Sequence, residues 1–135
     1  MPKPTWDEIA EYVAAGNLES IKIEDDFTNV QLGILYAPGS SSEQFRIIVL
    51  CLGYCYMDLR RRYDHAPGAG MILEAYLYTA SPLIDSLFAH KLESKAGCLY
   101  LEDSQDKVKH LEVIGDISVS ILCEDVLFTV SRVSP

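Results

Sequence analysis

The feature that most restricts the fold is an apolar run broken by one glycine, within "RIIVLCLGYCYMDLRRRYDH" at residues 46–65. Counted in twos, one face receives Phe45, Ile47, Val49, Cys51, Gly53, Cys55, Met57 and Leu59. The other receives Arg46, Ile48, Leu50, Leu52, Tyr54, Tyr56, Asp58 and Arg60. The first face is apolar throughout and the second is apolar at its middle, the pattern of a central strand covered on both sides. A straight strand of about 15 residues would span about 50 Å, too long for a domain of this size. Gly53 is therefore expected to carry a bend or bulge.

The rest of the chain supplies partners for such a strand. Trp6, Ile9, Tyr12 and Val13 recur at helical spacing, and Thr5 followed by Glu8 has the form of a capping box, so a helix is expected over residues 5–15. "LESIKIEDD" and "NVQLGILYA" read as two strands with a turn near Asp25–Thr28. "MILEAYLYTA" (71–80) reads as another strand, placed to form a hairpin with the apolar run. Ser81 and Pro82 are start signals for a second helix near residues 82–95, with Leu83, Ile84, Leu87, Phe88 and Leu92 as its apolar stripe. "CLYLE", "KVKHLEVI", "ISVSILC" and "VLFTVSRV" read as strands. Gly115–Asp116 is a two-residue hairpin signal that would set Ile114 opposite Ile117 and His110 opposite Ile121. The expected class is α+β: one domain over residues 1–135, with an antiparallel sheet of about seven strands curved into a sandwich or partial barrel and two helices beside it.

Charge narrows the partners. The formal net charge is −9 and the isoelectric point about 4.6. Nucleic acid and acidic membrane surfaces are disfavoured, because both call for a basic face. "MPKPTWDEIAEYV" has no apolar core of a signal peptide, and no run approaches the ~18 apolar residues of a membrane helix. A cytoplasmic setting is expected, in which the four cysteines are thiols.

Several candidate chemistries fail on spacing. On a strand, Cys51 and Cys55 would lie about 13 Å apart, too far for one disulfide or one metal ion. Cys98 and Cys123 stand alone, and His65, His90 and His110 belong to no zinc motif. "PGAG" precedes a strand and lacks the lysine of a phosphate loop. No metal, cofactor or catalytic set is expected, and enzymatic activity is disfavoured. Arg60, Arg61 and Arg62 concentrate three of the chain's 11 basic residues at one strand end. They are expected to blunt that edge; Arg60 and Arg62, with His65 beyond them, are candidates for gripping an anion or ligand. Tyr54, Tyr56, Tyr76 and Tyr78 would form a ladder if their strands paired.

What remains is an acidic binding protein. Glu24, Asp25, Asp26, Glu124 and Asp125 fall in turns, which project side chains outward, and they are the candidate contacts for a basic protein partner. An immunity-type inhibitor of a basic enzyme or toxin is the concrete form of this expectation. The alternatives are a small-molecule-binding domain or enzyme with a pocket in a curved sheet, and a structural subunit of a larger assembly.

Overall fold

The computed structural model describes residues 5–24, 28–37, 43–54, 56–61, 71–93 and 108–133, and only the backbone of 87 and 89–93. Eight strands and two helices run in the order α1 (Trp6–Ala14), β1 (Asn17–Glu24), β2 (Asn29–Tyr36), β3 (Gln44–Leu52), β4 (Tyr56–Arg61), β5 (Ile72–Tyr78), α2 (Pro82–Glu93), β6 (Lys109–Gly115), β7 (Ile117–Cys123) and β8 (Asp125–Val133). They form two antiparallel four-stranded sheets, ordered β1-β2-β3-β8 and β4-β7-β6-β5, that do not close into a barrel. The expected α+β class holds, as a sandwich.

Alternation builds the core. Val30, Leu32 and Ile34 of β2, Ile47, Val49 and Cys51 of β3, and Val126 and Phe128 of β8 are buried in one cluster with Leu111, Val113, Val119, Ile121 and Cys123 of the second sheet. Ile9 and Val13 bring α1 into the same cluster, and Trp6 lies 5.5 Å from Phe128, ring to ring. Side chains between these positions, such as Ile48, Leu50 and Leu127, are half-buried on the opposite face of the first sheet. That explains why β3 reads as apolar on both sides.

The long apolar run is not one strand. It ends at Leu52, turns at Gly53 with φ of +62°, and resumes as β4 in the other sheet. Its first half is central, between β2 and β8; its second half is an edge. β4 and β5 lie at opposite edges with β7 and β6 between them, so the expected hairpin and the four-tyrosine ladder do not form. Tyr76 and Tyr78 stack on each other instead, with ring centroids 5.7 Å apart.

The hairpin between β6 and β7 is shifted by one residue from its sequence signal. Val113 faces Val119 and His110 faces Leu122. Asp116 has a second attachment: its N–H donates to the Met71 carbonyl at 3.0 Å, and its carboxylate accepts from Met71 N–H at 3.2 Å. These bonds tie the turn to the start of β5. The shift puts Ile121 in the core and Ser118 and Ser120 on the outer face, since a one-residue slip exchanges the two faces of a strand.

Candidate functional site

Two constellations carry polar chemistry. The first is an acidic rim at one end of the first sheet. Glu24 faces Asn29, Asn29 faces Leu52, and Leu52 faces Asp125. Glu24 and Asp125 thus end one row across four strands, about 14 Å apart at ~4.8 Å per strand. Glu124, between β7 and β8, is exposed beside them.

The rim is fixed by local bonds. Glu124 N–H donates to the Leu52 carbonyl at 2.9 Å, Tyr54 N–H to the Thr28 carbonyl at 3.0 Å, and Gly53 N–H to Asn29 Oδ1 at 3.2 Å. Asp125 Oδ1 accepts from Val126 N–H at 2.9 Å, and Lys109 Nζ lies 3.6 Å from the same carboxylate oxygen. Lys109 therefore offsets part of the negative charge at the β8 end. Asp25 and Asp26 lie outside the described residues, as do Arg62 and His65.

The second constellation is a polar groove of about 550 Å³ on the outer face of the second sheet. Register builds it in rows. Tyr78, His110, Leu122 and Tyr56 form one row; Tyr76, Glu112, Ser120 and Asp58 form the next; Arg60 faces Ser118 beyond them. Pro82 and Leu83 of α2 stand at its side. The helix is seated by Ile84, which packs with Val108 and Leu122. Arg60 is the one member of the expected grip among the described residues: its Nε donates to Asp58 at 2.9 Å, and its side chain is largely exposed.

His110 stands at the groove and is only 5% exposed. Its Nδ1 lies 2.9 Å from Ser81 Oγ, while its Nε2 is buried with no partner among the described residues. Ser81 Oγ also accepts the N–H of Ile84 at 3.2 Å, capping α2. Burial holds His110 below the ordinary imidazole value, partly opposed by the carboxylate of Glu112. The ring is therefore neutral at pH 7. A serine–histidine contact is also the core of a hydrolytic triad, but among the described residues no third group hydrogen-bonds the ring, Tyr78 packs against it with centroids 5.3 Å apart, and Ser81 is buried and engaged as a cap.

A period of two sets His110 and Glu112 on one face of β6, and Ser81 is a helix start in the sequence. Neither pattern joins Ser81 to His110, because the contact spans 29 residues and depends on where α2 docks. Among the described residues no cluster of three metal-ligating side chains occurs. Cys51 and Cys123 are free and buried, and the thiol of Cys123, together with burial, pushes the Cys51 thiol far up. Cys55 and Cys98 lie outside the described residues. No described helix is long and apolar enough to cross a membrane.

No protein-family model matches this chain, and no curated protein does. One similar solved structure is an uncharacterized protein from Neisseria gonorrhoeae. It shares 13% identity over 84% of this chain and 89% of that one, with a TM-score of 0.52. That likeness concerns the fold alone.

Proposed function

We propose that this chain is a non-catalytic acidic binding protein that meets a basic protein partner through the rim of Glu24, Glu124 and Asp125, with Asp25 and Asp26 following Glu24 in the chain. The supporting observation is convergence. Acids a hundred residues apart in sequence share one end of one sheet, on a row set by backbone pairing. Their spacing of about 14 Å is well inside the ~30 Å Debye length of about 0.01 M salt, though nearly twice the ~8 Å of physiological ionic strength, so a partner approaching the rim meets a joint field at low salt. Opposite fields speed encounter and restrict the choice of partner. An immunity-type inhibitor of a basic enzyme or toxin, acting in the cytoplasm, is the specific form this reading takes.

The test is affinity capture from the native host with the full chain and with the triple variant Glu24→Gln, Glu124→Gln, Asp125→Asn. The parent is expected to retain proteins of basic isoelectric point at low ionic strength. It should release them at about 0.5 M salt, where screening is nearly complete, and the triple variant should fail to retain them. Capture indifferent to both salt and substitution would overturn the reading.

A further inference from the structure

We propose that a groove between α1 and the Tyr36–Phe45 end of the first sheet binds a small organic cation, an alkylated ammonium, among the rings of Tyr12, Tyr36 and Phe45 and beside the carboxylate of Glu8. The groove lies at the far end of that sheet from the acidic rim, and the inference does not rest on the rim.

Register brings the rings together. Tyr36 of β2 faces Phe45 of β3, and directly opposed residues share one face of a sheet. That face is the inner one, because Ile34 and Ile47, the opposed pair one row further in, are buried in the core. The Tyr12 ring of α1 lies 5.0 Å from that of Tyr36, with the planes inclined at 60°. Two rings at this inclination make a corner and not a stack, and Phe45 adds a third ring beside Tyr36. Glu8 stands one turn before Tyr12 on the same face of α1. The groove they line has a volume of about 430 Å³, in the range of small-molecule sites. Val130 is also in its lining and faces Ile47 across the pairing of β3 with β8. Ile47 is buried, yet Val130 and Tyr12 are each 47% exposed. Apolar surface that alternation turns inward is thus left open where the packing of the sandwich stops.

Charge selects the occupant. Among the described residues that line the groove, Glu8 alone is charged, and it belongs to none of the ion pairs among the described residues. Two arginines are close in register. Arg132 faces Phe45 from β8, but its guanidinium is bonded to Glu43, so that pair carries no net charge. Arg46, the residue after Phe45, alternates to the other face and pairs with Glu19 at 3.3 Å. An anion would therefore meet the Glu8 carboxylate and no free guanidinium. A metal ion would exchange its shell of oxygen ligands for a single carboxylate. A neutral apolar ligand would cover the rings and leave Glu8 without a partner. An alkylated ammonium uses both kinds of group: ring faces carry the negative end of the aromatic quadrupole and attract a cation, while its methyl groups cover Val130 and its charge is balanced by Glu8.

The experiment is a ¹H–¹⁵N NMR titration of the full chain with choline. Its uncharged carbon isostere, 3,3-dimethyl-1-butanol, and the anion benzoate serve as comparisons, each taken to about 50 mM to reach dissociation constants in the millimolar range. Choline should shift the amides of Glu8, Tyr12, Tyr36, Phe45 and Val130 saturably. The isostere should bind at least about 3-fold more weakly, since it keeps the shape and loses the attraction of charge to the rings. Glu8→Gln and Tyr12→Leu, both at exposed positions, should each weaken choline about 2- to 5-fold without disturbing the rest of the spectrum. No saturable shift with choline, an isostere that binds as tightly, or an affinity unchanged in both variants would overturn the proposal. So would benzoate shifting the same amides. Shifts of those amides on dilution of the free protein would assign the groove to a second copy of the chain and equally overturn it.

Discussion

Gly53 stands where the chain passes from one sheet to the other and Gly115 at a hairpin, and each is required for a different reason. Gly53 adopts φ of +62°, a region costing an ordinary residue about 1–2 kcal/mol. The atoms nearest a Cβ there belong to the Glu124 side chain, at 2.9 Å, and that flexible group can swing aside. A Cβ on Gly115 would lie 2.1 Å from the Met71 carbonyl oxygen and 2.9 Å from Ile72 Cα, both backbone atoms. Gly53→Ala is therefore expected to cost about 1–2 kcal/mol through its dihedral. Gly115→Ala should cost at least as much, about 2–3 kcal/mol, because the start of β5 must move. Urea unfolding of the two variants measures both, and a Gly115→Ala variant as stable as the parent would contradict the close approach. His110 adds a pH dependence. Its folded affinity for protons lies below the ordinary value near 6.5, so the unfolded chain binds the proton more readily. This group's contribution is fully present above about pH 6.5 and falls as pH drops from there toward the folded value, by at most ~1.4 kcal/mol per pH unit. The stability difference between parent and His110→Gln should accordingly shrink between pH 7.5 and pH 5. A difference that grows on acidification would reverse the sign of the assigned shift.

The two helices begin with similar sequence signals and different bonds. Thr5 and Glu8 have the form of a capping box, yet Thr5 makes no side-chain cap bond; its carbonyl accepts from Glu8 N–H at 3.1 Å and Ile9 N–H at 3.3 Å. α1 is held by the burial of Ile9 and Val13 instead. At α2 the Ser81 hydroxyl both caps Ile84 and engages His110. Thr5→Ala should change stability by less than about 0.5 kcal/mol, as for an exposed residue without a side-chain bond. Ser81→Ala should cost about 2 kcal/mol, since it removes a cap and leaves a buried imidazole nitrogen unpaired. Equal costs from chemical denaturation would mean that His110 gains nothing from Ser81.

At the scale of the whole molecule, net charge matters less than where the sandwich gathers it. Exposed carboxylates contribute little to folding, so Glu24→Gln, Glu124→Gln, Asp125→Asn should leave the unfolding midpoint nearly unchanged. With a basic partner in hand, stopped-flow association should be slower for this variant than for the parent at low ionic strength. The gap should close as salt is added, because screening removes what the substitutions remove. Rates independent of both would leave the rim without a role in encounter.

The sequence by itself determined most of the described helices and strands, and that Gly53 interrupts the apolar run; the expected strand "CLYLE" lies outside the described residues. These follow from local periods and turn chemistry: α2 starts at Pro82 as its signals require, and β2 and β3 alternate as read. It determined the composition of the two acidic turns but not their meeting. Only the tertiary structure decided that the run divides between two sheets, because a period of two says which residues share a face and not which sheet that face belongs to. Only long-range pairing placed β4 and β5 on opposite edges. The bonds from Asp116 to Met71 accompany the one-residue shift between β6 and β7, which sends Ser118 and Ser120 into the groove. Ser81 meets His110 for the same reason: α2 docks where Ile84 can bury itself against Val108 and Leu122, a packing choice between distant segments that no local pattern records.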